Sequence, residues 1–281
     1  MKRCVLFIGM ILLLVSLTGC FEQLTEIVVE QDGHGYIYVA KYMNVQMPGF
    51  TENLRGVLPS GEDAEGASDT NFQLSEDDFK KEAAEFGEGV RLLWVKDKKN
   101  KKGWTGKLAK YEFDDINKIT INPLEKPAGM VGEEAEVPNE VKQPVTFTYI
   151  PGDTNTLTIS MPEWKMGEAE TGGPDGDKKE DLQQQALVMQ MMKPMFDGLR
   201  ILVRVRVAGD VVENSATHKS DEDKLTTLAE IRLGDVMADM ANFTKFQGLQ
   251  ALKEPEEVKK AVTQIKGLTL EVQEQVTVKF Q

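Results

Sequence analysis

The sequence predicts an α+β protein, built mostly from antiparallel β-sheet, with three to four packed helices and long acidic loops. Two observations carry this prediction. Runs in which apolar and polar residues alternate, as in half-buried strands, recur along the chain, and several of them flank short turns that contain glycine. Between these runs lie a few segments whose apolar residues have helical spacing.

The first such segment, residues 24–45, is predicted to form a β-hairpin with Asp32-Gly33 at its turn. On its second strand Tyr36, Tyr38 and Tyr42 share one face, because side chains alternate along a strand. Three tyrosines in register could line a ligand site. A partly buried sheet face is the more common reason for such a pattern, and we favour it here.

A helix is predicted to begin at Ser75, which three acidic residues follow, and to end at Gly87. Two strands come next, joined by residues 96–103, which read KDKKNKKG and include five lysines. We interpret this basic cluster as a solvated hairpin tip. Contact with lipid headgroups or with an acidic neighbour is the alternative.

The middle of the chain alternates between loops and structured segments. Residues 123–144 are predicted to be a loop or linker at which the domain could divide, and a further hairpin follows. Residues 163–179 are polar and rich in glycine. Residues 180–196 fit a helix whose apolar face is a candidate surface for a ligand or partner, although core packing is the commoner role of such a stripe. The candidate residues on this face are Met189, Met192, Met195 and Phe196.

The C-terminal part begins with a strand that turns Arg200, Arg204 and Arg206 to one side. We expect these arginines to pair with Glu271 or with acids of another strand. Helices are predicted over 235–252 and 254–267. The final strand, residues 268–280, alternates regularly apart from Glu274, for which we expect a bulge or an exposed edge.

The N-terminus has the organisation of a secretory signal peptide. A basic head, Lys2 and Arg3, precedes an apolar run that ends at Leu17-Thr18-Gly19-Cys20. The run has about eleven residues, whereas a membrane-spanning helix needs roughly 20, so a cleaved signal is the better interpretation. Residues 1–19 are therefore predicted to be removed, and residues 20–281 to form a single exported domain.

The tetrapeptide that ends at Cys20 resembles the lipobox of bacterial lipoproteins with a type II signal peptide. The resemblance implies cleavage before Cys20, a diacylglyceryl group on its thiol and an acyl chain such as palmitate on its amine. Phe21, where inner-membrane lipoproteins carry Asp, implies the periplasmic side of the outer membrane in a cell that has two membranes. Residues 199–219 weakly resemble the LppM-type lipoprotein domain, which implies a β-rich envelope domain that binds lipid or glycolipid. The C-terminal membrane segment of that type is missing from this chain.

Composition excludes several classes of function. The chain has 46 acidic and 33 basic residues, which argues against nucleic acid as a partner. Cys4 leaves with the signal and Cys20 is consumed, so no disulfide is expected. His34 and His218 lie far apart without zinc-ligand spacing, and the acidic residues 175–181 lack the order of a calcium loop. We therefore predict no catalytic, metal or cofactor site.

The function predicted from the sequence is that of a membrane-anchored envelope lipoprotein of a non-enzymatic kind. It would bind an apolar ligand or a partner protein, or serve a structural role. The alternative is a periplasm-facing hydrolase that uses paired carboxylates. Such an enzyme would bring two carboxylates together in a cleft and raise the pKa of at least one of them.

Overall fold

The computed structural model describes residues 21–43, 74–122, 144–162, 198–220, 224–249 and 254–281, together with Phe196 and Leu252. Strands account for 49% of these residues and helices for 21%. In chain order, the elements are β1 (Phe21–Val29), β2 (Gly35–Met43), α1 (Glu76–Glu85), β3 (Arg91–Lys99), β4 (Thr105–Phe113), β5 (Thr120–Ile121), β6 (Val145–Ile150), β7 (Asn155–Ser160), β8 (Arg200–Val207), β9 (Val211–Asn214), β10 (Lys219–Ser220), β11 (Leu225–Arg232), α2 (Leu233–Val236), α3 (Met240–Gly248), α4 (Pro255–Val262), β12 (Leu268–Leu270) and β13 (Gln275–Phe280).

The described residues form a mainly β fold, so the α+β prediction is wrong. Two sheets form the main core, while the four helices of this part of the chain are short. The sequence patterns overstated the helical content. Residues 235–252 were predicted as one helix, whereas α2 and α3 are separate, and the helix predicted over 254–267 ends at Val262. The helix predicted over 180–196 lies outside the described residues except for Phe196. None of the helices that can be described is long and apolar enough to span a membrane.

The strands that are described belong to two sheets. The large sheet has the order β10-β11-β8-β1-β2-β4-β3, with β12 added beside β11, and the small sheet has the order β5-β6-β7-β13-β9. Within them β1 and β8 run parallel, and the other pairs are antiparallel. The hairpins β1–β2, β3–β4 and β6–β7 confirm the three that the sequence predicts.

The main core lies between the inner face of the large sheet and the small sheet. Alternation along each strand places one set of β-branched and aromatic side chains on this inner face. From the large sheet it includes Ile27, Val29, Ile37, Val39, Tyr111, Phe113, Val205 and Val207, and from the small sheet Phe147, Leu157, Ile159, Val276, Val278 and Phe280. Because both sheets contribute, burial is of the sandwich kind.

Helix α1 confirms its predicted start. The Ser75 hydroxyl accepts a hydrogen bond from the Asp78 backbone N–H at 3.2 Å, and the Asp78 carboxylate accepts one from the Ser75 N–H at 2.8 Å. This capping box satisfies two donors at the helix start. The helix then buries Phe79 and Ala83 in the main core.

The remaining helices form a second, smaller core with β11 and β12. Its buried residues are Ala229, Val236, Leu249, Val258, Val262, Ile265, Leu268 and Leu270. The predicted final strand is divided between the two cores, because β12 pairs with β11 in the large sheet and β13 pairs with β7 and β9 in the small sheet. Glu274 is exposed at the crossing, as its break in the alternation predicts.

Candidate membrane-facing site

The register of the large sheet brings the first described residue and the lysine-rich hairpin to the same edge. Phe21 pairs with Met43, Met43 with Thr105, and Thr105 with Lys99. Neighbouring strands are about 4.8 Å apart, so this row spans about 14 Å from Phe21 to Lys99. Because Cys20, the residue that the sequence predicts to be acylated, directly precedes Phe21, we call this end of the large sheet the anchor edge.

The tip of the β3–β4 hairpin is a closed turn held by Asn100. The Asn100 N–H donates to the Trp104 carbonyl and the Gly103 N–H donates to the Asn100 carbonyl, both at 3.0 Å. The Asn100 side-chain oxygen accepts from the backbone N–H of Lys102 at 2.9 Å and of Trp104 at 3.0 Å. Its amide nitrogen donates to Glu22 Oε2 at 2.8 Å. One asparagine therefore closes the tip and ties it to β1, the strand that follows Cys20.

Four lysines of the tip are exposed and carry their charge into solvent: Lys98, Lys99, Lys101 and Lys102. The single acid of the cluster, Asp97, is bound by Lys107 of the neighbouring strand at 2.8 Å. Among the ion pairs of the described residues, none involves these four lysines. The tip is thus a concentrated positive surface on a chain whose formal net charge is −13.

Two tryptophans accompany the lysines on this hairpin. The ammonium of Lys102 lies 4.7 Å from the centre of the Trp104 ring, and that of Lys96 lies 4.5 Å from the Trp94 ring. Both rings are only partly buried. Indole rings beside cations are amphipathic, with an apolar body and a polar N–H that suit a boundary between water and lipid.

The arginines of β8 lie on the outer face of the large sheet, the face away from the small sheet. Arg204 and Arg206 bind Glu26 with their Nε atoms at 2.6 and 2.9 Å, and Arg200 lies 3.2 Å from Glu22. The expectation that acids of another strand pair with these arginines is confirmed. Glu271 instead accepts a hydrogen bond from Thr217.

Tyrosines follow on the same outer face. The Lys110 ammonium lies 3.4 Å from the Tyr36 ring centre and 5.4 Å from that of Tyr38. Tyr36 and Tyr38 are half-buried and Tyr42 is buried. This arrangement agrees with the partly buried sheet face that we favour from the sequence.

A buried polar cluster that the sequence analysis missed lies beneath α1. The Lys41 ammonium is 2.8 Å from Glu82 Oε1, and the Tyr111 hydroxyl donates to Glu82 Oε2 at 2.8 Å. Burial, and then the charge of Glu82, raise the pKa of Tyr111 far above its usual value. Lys41 follows Ile37 and Val39 in the alternation that defines the core face, which is the signal that could have placed it inside. The cluster joins α1 to the sheet in a buried position, since Lys41 is 1% and Glu82 is 6% exposed.

Glu271 is the second buried acid that the sequence did not predict. It is 0% exposed, and its carboxylate accepts from the Thr217 N–H at 2.7 Å, the Thr217 hydroxyl at 3.0 Å and the Gln273 N–H at 3.1 Å. Strict alternation places it on the solvent side of the final strand. The crossing between the two sheets turns it inward instead, where it joins the residues between β12 and β13 to the segment after β9.

The structure describes only some of the other residues that the sequence analysis considered for a site. Met189, Met192 and Met195 lie outside the described residues, as do residues 175–181, whereas Phe196 is described and is 4% exposed. In the part of the chain that is described, no group of three or more His, Cys, Asp or Glu residues is arranged to hold a metal.

The pKa of four carboxyl groups, those of Asp32, Asp78, Asp210 and Glu213, lies below its ordinary value. In each the pKa is lowered, chiefly because a neighbouring side chain hydrogen-bonds to the ionised form. These four carboxyls therefore do not match a general acid, whose pKa is raised.

Comparisons with known proteins include a weak structural likeness. No family model matches the chain, and no curated protein matches it. Among solved structures, it is similar to the folded domain of the Mycobacterium tuberculosis LppM protein determined by NMR. The TM-score is 0.31 at 11% identity, over 77% of this chain and 85% of that chain. The weak resemblance inferred from the sequence is thus matched by a weak structural likeness, which does not establish a shared fold.

Proposed function

We propose that this chain is a lipid-anchored envelope protein, held by acyl chains on Cys20 to the periplasmic side of the outer membrane in a cell with two membranes, and that it acts by binding. The observation that carries the proposal is the position of β1. Its first residue, Phe21, is 2% exposed, and β1 pairs with β2 on one side and β8 on the other. The folded sheet therefore begins one residue after the modified cysteine, and the anchor holds the domain directly against the bilayer.

A partner protein suits the described surface better than a small apolar ligand. The outer face presents Tyr36, Tyr38 and Trp94 together with arginines that Glu26 already orients, and aromatic and arginine side chains are enriched where proteins bind each other. The described residues also form an open depression of about 490 Å³ between Glu30 and Gly209. Four of the six residues that line it are polar or charged, whereas pockets for apolar ligands are lined mostly by hydrophobic side chains.

The anchoring is tested by changing Cys20 to Ser in cells. We expect wild-type protein in the membrane fraction, with an N-terminal peptide whose mass shows two or three acyl chains, and we expect Cys20→Ser to lose both properties. Cys4→Ser is the matched control, because Cys4 lies in the removed segment and the variant should behave as wild type. Membrane retention of Cys20→Ser, with no acyl mass on the wild-type peptide, would refute the anchor.

The binding role is tested by photo-crosslinking from the outer face. A photoreactive residue at Tyr38 should give a discrete adduct with an envelope protein, identified by mass spectrometry. The control position is Lys118, which is exposed and lies in the 3₁₀ turn Ile116–Lys118 beyond β4. Absence of an adduct from Tyr36, Tyr38 and Trp94 alike, in cells where the protein is abundant, would reject the outer face as the binding surface.

A further inference from the structure

The anchor edge carries a second feature besides the start of β1. The tip of the β3–β4 hairpin, residues 98–104, projects from the same edge, and Asn100 binds it to Glu22 of β1. We propose that this tip is a second membrane contact, which binds the anionic headgroups of phospholipids in the bilayer that holds Cys20. The inference rests on the proposed anchoring and specifies how the domain is oriented on the membrane.

The register places the tip beside the residue that follows the anchor. Cys20 directly precedes Phe21 in the sequence, and Phe21 begins the row that ends at Lys99. Asn100 and the turn at Lys101 and Lys102 continue the β3–β4 hairpin beyond Lys99. A bilayer that receives acyl chains at Cys20 is therefore within reach of the lysines, about 14 Å to the side along the edge.

The charge of the tip fits an anionic surface, because four exposed lysines lie within the five residues from Lys98 to Lys102. Exposed charges interact over about 8–10 Å at physiological ionic strength, so lysines that touch the headgroups act there, while acidic groups farther into the domain are screened. Each lysine close to an anionic leaflet contributes roughly a fivefold preference for the bound state. Trp104, partly buried beside Lys102, supplies an interfacial ring at the same level.

The test uses the unique thiol of the mature chain. Residues 20–281 are coupled through Cys20 to a maleimide lipid in vesicles of phosphatidylcholine alone, or of equal parts phosphatidylcholine and phosphatidylglycerol. A brominated phosphatidylcholine quenches tryptophans that reach the bilayer, and the signal of Trp104 is obtained by difference from Trp104→Phe. We expect quenching of Trp104 on the anionic vesicles at low salt, and its loss at high salt or on phosphatidylcholine alone.

Charge variants separate a local contact from the effect of net charge. Lys101→Gln with Lys102→Gln should shift the docked-to-undocked ratio by roughly tenfold or more. The control, Lys118→Gln with Lys219→Gln, removes the same charge from exposed positions off the anchor edge and should leave quenching unchanged. Both variants are compared with wild type by circular dichroism and thermal unfolding, because the lysines concerned are exposed and should not alter folding.

The outcomes are distinct. Equal quenching on both kinds of vesicle, no quenching on either, or equal loss in the two double variants overturns the hairpin contact. Because Cys20 is coupled chemically, this result does not depend on acylation in cells. If the coupled protein docks but Cys20 is found unmodified in cells, the natural anchor is rejected. The hairpin then remains a lipid-binding element.

Discussion

Two turns in the large sheet have the same backbone conformation, but one is packed against other residues and the other is exposed. In the β1–β2 turn, Glu30 donates from its N–H to the His34 carbonyl at 2.9 Å and Gly33 donates to Glu30 at 3.1 Å. In the β3–β4 turn, the corresponding distances from Asn100 to Trp104 and from Gly103 to Asn100 are both 3.0 Å. The glycines have φ of +86° and +81°. Each is a three-residue hairpin loop with glycine in the left-handed conformation.

The surroundings decide what each turn can do. The β1–β2 turn is packed, since the Tyr149 hydroxyl donates to the Gln31 carbonyl at 2.5 Å and the Ile116 N–H donates to the Gly33 carbonyl at 2.9 Å. A Cβ at Gly33 would lie 2.8 Å from the Tyr149 ring, whereas a Cβ at Gly103 would have nothing within 4 Å. The same backbone turn is therefore packed against its neighbours in the β1–β2 hairpin. In the β3–β4 hairpin, at the anchor edge, its side chains are exposed and available for binding.

The largest effect should come from Gly33→Ala. An alanine in the left-handed region costs about 1–2 kcal/mol, and overpacking against Tyr149 adds about 1–3 kcal/mol. We expect the free energy of unfolding to fall by about 2–5 kcal/mol in urea denaturation. A loss no greater than that of Gly103→Ala would mean that the packing of the first turn does not matter.

Gly103→Ala is the matched change in the free turn. Only the left-handed conformation opposes it, so the free energy of unfolding should fall by about 1–2 kcal/mol. Quenching of Trp104 on anionic vesicles should persist, because the lysines are retained. A loss as large as that of Gly33→Ala would show that the tip has packing that its surroundings do not reveal.

Local patterns predicted these turns, and for a physical reason. The residues that form a hairpin are adjacent in sequence, so turn glycines and flanking alternation contain most of the information. The parallel pairing of β1 with β8 joins Glu22 to Arg200, which are 178 residues apart, and alternation does not identify a strand's neighbour. For the same reason residues 268–280 looked like one strand, although β12 and β13 belong to different sheets.

Part of the candidate site could be recognised from the sequence. The lysine cluster stands out in so acidic a sequence, and a solvated tip was the natural interpretation. Its position beside Phe21 follows only from the register of β1, β2, β4 and β3. The burial of Lys41 and Glu271 was not predicted, because their partners, Glu82 and Thr217, come from segments that no local pattern connects.

Tyr149→Phe isolates the polar contact of the packed turn. It removes the hydrogen bond to the Gln31 carbonyl but keeps the ring against Gly33, so we expect the free energy of unfolding to fall by about 1 kcal/mol. The amides of the β1–β2 turn should exchange faster with deuterium, while those of residues 100–104 keep the wild-type rate. Equal acceleration in both turns would show that the hydroxyl stabilises the whole sheet rather than this turn.

The smallest expected effect is that of acid. The hydrogen bond from His34 lowers the pKa of Asp32 below its ordinary value of 3.8. Stabilisation by this carboxylate is therefore complete above that value and is lost as the pH falls through the lower pKa of the folded state. The free turn has the uncharged Asn100 as its capping side chain. In NMR titrations the Gly33 amide should shift below about pH 4, and Asp32→Asn should abolish this shift. If Asp32→Asn retains the transition, the acid response of the β1–β2 turn does not arise from the Asp32–His34 contact.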